Sequence, residues 1–177
     1  MALAISPSEA LWFLPFVVPL CLWVMWSDLS AMRIPNLSVL ALAAVFLVVG
    51  LIALPWADYP WRLLTMVVVL VLMFGANVIG LMGAGDSKFI AAAAPFIDPG
   101  DVGPLCLIFA ANLLACFVTH RIAKHTALRR LAPDWTSWDR GRKFPMGFAL
   151  GATLIVYLAL GAAYGTCLLY TSPSPRD

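Results

Sequence analysis

Two aspartates stand where an apolar chain ordinarily avoids them. Asp28 follows a 16-residue apolar run, Leu11 to Trp26, almost directly. Asp86 lies in the glycine-rich string Gly83-Ala84-Gly85-Asp86-Ser87-Lys88, between two apolar segments. A pair of aspartates can hydrolyse an amide if the two share a proton. One takes a proton from water while the other, protonated, hydrogen-bonds the scissile carbonyl. Like charges held close make that sharing stable, because both carboxyls cannot ionise cheaply, and the titration then belongs to the pair. A wet cavity at a membrane edge meets both needs: it admits water and keeps the local dielectric low. Each aspartate also has a plain structural reading. Asp86 could cap a helix N-terminus, and Asp28 could pair with Arg33 at the membrane surface.

The elements that must position these residues are read from the composition. The chain of 177 residues is 63% hydrophobic and 11% charged, with a mean hydropathy of +0.94. A soluble globule of this size cannot hide so much apolar surface. The apolar runs are continuous and of membrane-crossing length, which favours helices over an alternating β-barrel. The fold class is therefore an all-α polytopic membrane bundle of about six transmembrane helices. The predicted spans are Leu11 to Trp26, Leu37 to Leu54, Leu63 to Leu81, Phe89 to Ile97, Pro104 to His120 and Pro145 to Tyr164. The fourth is too short to cross alone and is expected to begin inside the Gly83 to Lys88 string. The first lacks a preceding basic residue and a following cleavage site, so it reads as a retained helix and not a secretory signal.

Charge fixes the orientation. With the N-terminus outside, the inner loops hold Arg33, Lys88, Arg121, Lys124, Arg129, Arg130, Arg140, Arg142 and Lys143, and only Arg62 falls in an outer one. Nine basic residues against one is a strong positive-inside asymmetry. Both aspartates then fall at the cytoplasmic face, although the topology rests on lysines and arginines alone. The formal net charge of +2 and the basic stretch from Arg121 to Lys143 read as topology signals, and nothing suggests nucleic-acid recognition.

Other polar residues read as structural. His120 and His125 flank a helix end in a basic loop, and the four cysteines form no metal-ligand spacing. No metal or cofactor is expected. The tryptophans fall near span boundaries, as an aromatic belt would. Asn77 and Asn112 are placed to bond across helices. Asn36 is a candidate cap for the second helix.

Three strings resemble one family. Ser27-Asp28-Leu29-Ser30-Ala31-Met32-Arg33-Ile34-Pro35-Asn36 is similar to the first active-site motif of type IV prepilin peptidases. Gly83-Ala84-Gly85-Asp86-Ser87-Lys88, with Asp86 58 residues beyond Asp28, resembles their second, the GxGD motif, which presenilin-type proteases share. Phe144-Pro145-Met146-Gly147-Phe148-Ala149 resembles the segment opening a late helix in the same family. The resemblance implies a membrane aspartyl endopeptidase that removes the leader of prepilin-like substrates on the cytoplasmic side of the inner membrane, just before their apolar helix. It implies Asp28 and Asp86 as the catalytic pair, Gly83 and Gly85 as shapers of the loop, and Lys88 as a supporting charge. The cysteine-paired domain of the larger, N-methylating members is absent between the first two spans, so methyltransferase activity is not expected. The short form resembles the peptidases of Flp-type (tight-adherence) pili, the preferred reading, or archaeal preflagellin peptidases. The rival readings are a small ion- or proton-coupled transporter, or a non-catalytic pilus-assembly membrane protein. Residues 1–165 are expected to form one domain, and 166–177 resemble a translated sequencing-library adapter.

Overall fold

The computed structural model describes residues 3–139 and 144–166. The first helix, α1 (Pro7–Ala31), starts where Ser6 accepts a hydrogen bond from the Glu9 N–H at 3.3 Å and Pro7 opens the first turn. It ends at Met32, whose left-handed backbone (φ 53°) lets its N–H reach the Asp28 carbonyl. Then come α2 (Asn36–Ala53), α3 (Tyr59–Val78), α4 (Ala84–Ala93), α5 (Val102–His125) and α6 (Met146–Tyr164), with short 3-10 turns between α4 and α5 and again between α5 and α6. Among the described residues there is no strand, only an isolated bridge between Leu3 and Gly165. The protein is a helical bundle.

Five helices are long and apolar enough to cross a membrane: α1, α2, α3, α5 with its preceding turn, and α6. The exception is α4, which begins at Ala84, inside the glycine-rich string, as the sequence predicts. Together with the 3-10 turn Ala94–Phe96 it spans about 20 Å at ~1.5 Å per residue. That falls short of the roughly 30 Å of a hydrocarbon core. Phe89, Ala91, Ala92 and Ala93 are buried against α2, α3 and α6, so α4 lies within the bundle. Its shortness is affordable because protein, not lipid, surrounds it.

The principal pairing is α1 against α6. Small residues permit it: a Cβ at Gly151 would come within 2.8 Å of Met25 and 3.2 Å of the Cys21 carbonyl. Phe13, Phe46, Phe96 and Tyr59 join α1, α2, α3 and the 3-10 turn after α4 through ring contacts of 4.8–5.9 Å.

At the Glu9 end of α1, opposite Asp28, a polar network closes the bundle. Asp101 accepts from the backbone N–H groups of Ala4 and Ile5 and from the Tyr157 hydroxyl, which in turn accepts from the Asp98 N–H. Arg62 bonds Asp98 at 2.6 Å and the Ile97 carbonyl, with Glu9 at 3.9 Å. This corrects one reading: Arg62 is no loop residue but is buried in the first turn of α3. Its charge is neutralised in place.

The segment after α5 also departs from expectation. Trp138 is buried and stacks on His120 at 5.0 Å and on Trp135 at 5.5 Å, while Trp135 meets Trp26 edge-on. These residues fold the loop back onto α1 and α5, where an aromatic belt was expected. Asn77 bonds the Met82 carbonyl in its own turn and not a neighbouring helix, whereas Asn112 does reach Thr153 on α6. Arg140, Arg142, Lys143 and the end of the adapter-like string, 167–177, lie outside the described residues.

Candidate active site

Asp28 lies in the last turn of α1 and is 6% exposed. Its Oδ2 accepts a 2.7 Å hydrogen bond from the Gly147 N–H, and the Phe148 N–H also faces the carboxyl. Both donors belong to the first turn of α6, whose N–H groups have no partner within their own helix. Asp28 therefore caps another helix through space, from 119 residues away in the chain. No ion pair joins it to Arg33 among the described residues.

Asp86 is the third residue of α4, and Gly83, not Asp86, stands at the cap position. The carboxyl leans over that glycine, since a Cβ at residue 83 would lie 2.9 Å from Asp86 Oδ2. Gly85 does a different job. A Cβ there would meet the Ile34 side chain at 3.3 Å, so the bare backbone lets the start of α4 press against the joint between α1 and α2. The two aspartate-bearing strings meet at that contact.

Both carboxylates line one cavity of about 420 Å³, together with Arg33, Ile34, Asn36, Gly83, Gly85 and Lys88. Every site residue predicted from the sequence is thus at one place. Burial pushes the Asp86 carboxyl above the usual aspartate range. Lys88 reaches the cavity wall, where its Nζ donates to Asn36 Oδ1 at 3.1 Å. Asn36 is therefore not the cap of α2: Pro35 holds that position without a side-chain bond, and the Asn36 amide is engaged with Lys88. Among the described residues no three His, Cys, Asp or Glu side chains gather as a metal site would need.

Gly147 is the residue whose role sequence reasoning did not identify. A Cβ on it would lie 3.0 Å from Asp28 Oδ2 and 3.0 Å from the Ile34 side chain. Its only trace in the sequence is the Pro-Met-Gly string at the head of α6.

The arrangement gathers two carboxyls and a lysine around one recess. The family whose model matches, over residues 16–120, is described as the type IV leader peptidase family. That is more than half of the 177 residues and includes both aspartates. The chain belongs to this family. Membership makes it a leader-peptidase-like protein with prepilin-type substrates, and its apolar helices make it a multi-pass membrane protein. No curated protein and no solved structure matches the chain. The match ends before α6, so the Gly147 contact to Asp28 is known from the structure alone.

Proposed function

We propose that this leader peptidase is an aspartyl endopeptidase in which Asp28 and Asp86 form the catalytic pair. It cuts the leader from prepilin-like substrates at the cytoplasmic face of the inner membrane, without N-methyltransferase activity. The functional unit is residues 1–165, and the substrates are Flp-type pilins. The observation that carries the reading is the shared cavity: two carboxyls from distant strings line one recess.

The chemistry follows from a single proton held between them. The ionised carboxyl takes a proton from water as its oxygen attacks the scissile carbonyl carbon. The protonated carboxyl donates to the carbonyl oxygen, giving a tetrahedral diol. Collapse of that diol breaks the C–N bond, with the proton returned to the leaving amine. The Gly147 N–H engages Asp28 Oδ2 and so fixes the orientation of that carboxyl. Gly83 and Gly85 give Asp86 and the α4 start their place, and Lys88 is a cation at the edge of the same recess.

The test is processing of a prepilin-like substrate co-expressed with the protein, followed by the mass of the mature product. Asp28→Asn and Asp86→Asn should each abolish processing, by at least ~10³-fold for loss of a group acting in the transition state, while both variants stay folded in the membrane. Full activity in either variant would end the two-aspartate mechanism. Loss of activity on chelation, restored by metal, would favour a metallopeptidase.

A further inference from the structure

A second cleft joins the aspartate cavity at Asn36 and Lys88. It is a groove of about 440 Å³ between α2, α3 and α4, with Val39 and Ala43 on one side, Met66 and Leu70 on the other and Ala92 at its base. Its lining is apolar except for Asn36 and Lys88, and these two also line the aspartate cavity. The lining residues fall at helical spacing: Asn36, Val39, Leu40 and Ala43 share one face of α2, and Lys88, Ala91 and Ala92 one face of α4. From Asn36 to Ala43 the groove runs about 10 Å along the helix axis. Small residues lie in it with larger ones beside them, which is the surface that lets a further helix approach closely in lipid. A second apolar recess, about 260 Å³ between α4, α5 and α6, has no lining residue in common with the aspartate cavity.

We infer that the α2–α3–α4 groove seats the first turns of the apolar helix that follows the substrate's scissile bond. The inference rests on the leader-peptidase reading. An enzyme that cuts immediately before an apolar helix has to hold polar chain at its carboxylates and apolar helix one step further on. Such a transition lies at Asn36 and Lys88, where the polar recess gives way to the apolar groove. The groove thereby selects for a helix after the bond, and Lys88 marks the boundary between leader and helix.

Two substitutions on adjacent residues separate the possibilities. Ala43→Trp fills the groove, and Ala44→Trp adds the same bulk on an exposed position of α2 that does not line it. With a helix-bearing substrate, Ala43→Trp should raise KM at least 10-fold while Ala44→Trp leaves it unchanged. With a short peptide ending a few residues past the scissile bond, all three proteins should cleave alike. Equal processing of the helix-bearing substrate by Ala43→Trp and wild type would overturn the inference, as would equal loss on both substrates. In the Asp86→Asn background, a photo-crosslinking side chain at Leu70 should capture the substrate helix, and one at Leu114 on α5 should not; capture of lipid alone at Leu70 would also overturn it. Failure of the wild type to cleave either substrate would overturn the leader-peptidase reading and the groove with it.

Discussion

At the scale of single residues, the site turns on how two carboxyls are kept partly out of water. Burial raises the pKa of Asp86, which makes its ionisation a cost that the folded protein bears and the unfolded chain does not. The sign follows from linkage. The unfolded chain releases that proton at lower pH, so folded-state stability falls as pH rises through the raised value. Asparagine has the shape of the protonated acid and cannot ionise. Asp86→Asn should therefore unfold at higher temperature than wild type in detergent above the raised pKa. The gain should vanish below the ordinary aspartate range, and thermal melts at several pH values check it. A gain independent of pH would mean that the carboxylate is not strained by burial. Both aspartates were legible in the sequence because a carboxyl beside an apolar run is expensive and needs a reason. Their partners were less legible. The Gly147 contact to Asp28 joins residues 119 apart, and no local pattern announces a through-space cap.

At the scale of elements, the Gly147 contact is where α1 and α6 are set in register. The start of α6 needs acceptors for its free N–H groups, and Asp28 supplies one while being oriented by it. Space decides how tightly: the Gly147 position leaves a Cβ only 3.0 Å from Asp28 Oδ2 and Ile34 Cδ1. Gly147→Ala should push the carboxyl or the α6 start aside by a fraction of an ångström. A displacement near 1 Å can cost about 10²-fold in rate, so kcat should fall roughly 10- to 100-fold. The fold should survive, because the α1–α6 contact extends well beyond this one turn. Processing kinetics beside a thermal melt separate the two effects, and unchanged kcat would show that Asp28 tolerates the shift. Helix existence was readable from apolar length, and α4 was rightly expected to start within the glycine-rich string. What periodicity could not give is which helix is enclosed. The same shortness that barred α4 from spanning alone is explained by its burial among α2, α3 and α6. Likewise, Trp135 and Trp138 lie near a boundary in sequence but stack into a folded-back loop in space.

At the scale of the whole molecule, the two ends of the bundle carry different chemistry, and this bears on orientation. One end holds Asp28, Asp86 and the described basic residues Arg33, Lys88, Arg121, Lys124, Arg129 and Arg130. The other holds Glu9, Asp98 and Asp101 around Arg62, the single basic residue that the sequence count placed outside. Because Arg62 is buried and paired, it offers no free charge at that end of the folded protein. In the folded bundle the exception to the asymmetry is thus neutralised in place. Positive-inside placement accordingly predicts that the Asp28 end faces the cytoplasm. The check is labelling of single cysteines with a membrane-impermeant maleimide in intact cells, after Cys21, Cys106, Cys116 and Cys167 are replaced. Ala57→Cys, in the exposed α2–α3 turn, should label from outside. Lys124→Cys, near the end of α5, should label only once the membrane is opened. The reverse pattern would place the aspartates outside, where a leader still in the cytoplasm could not reach them. The proposed cleavage would then have no substrate, whatever the geometry of the pair.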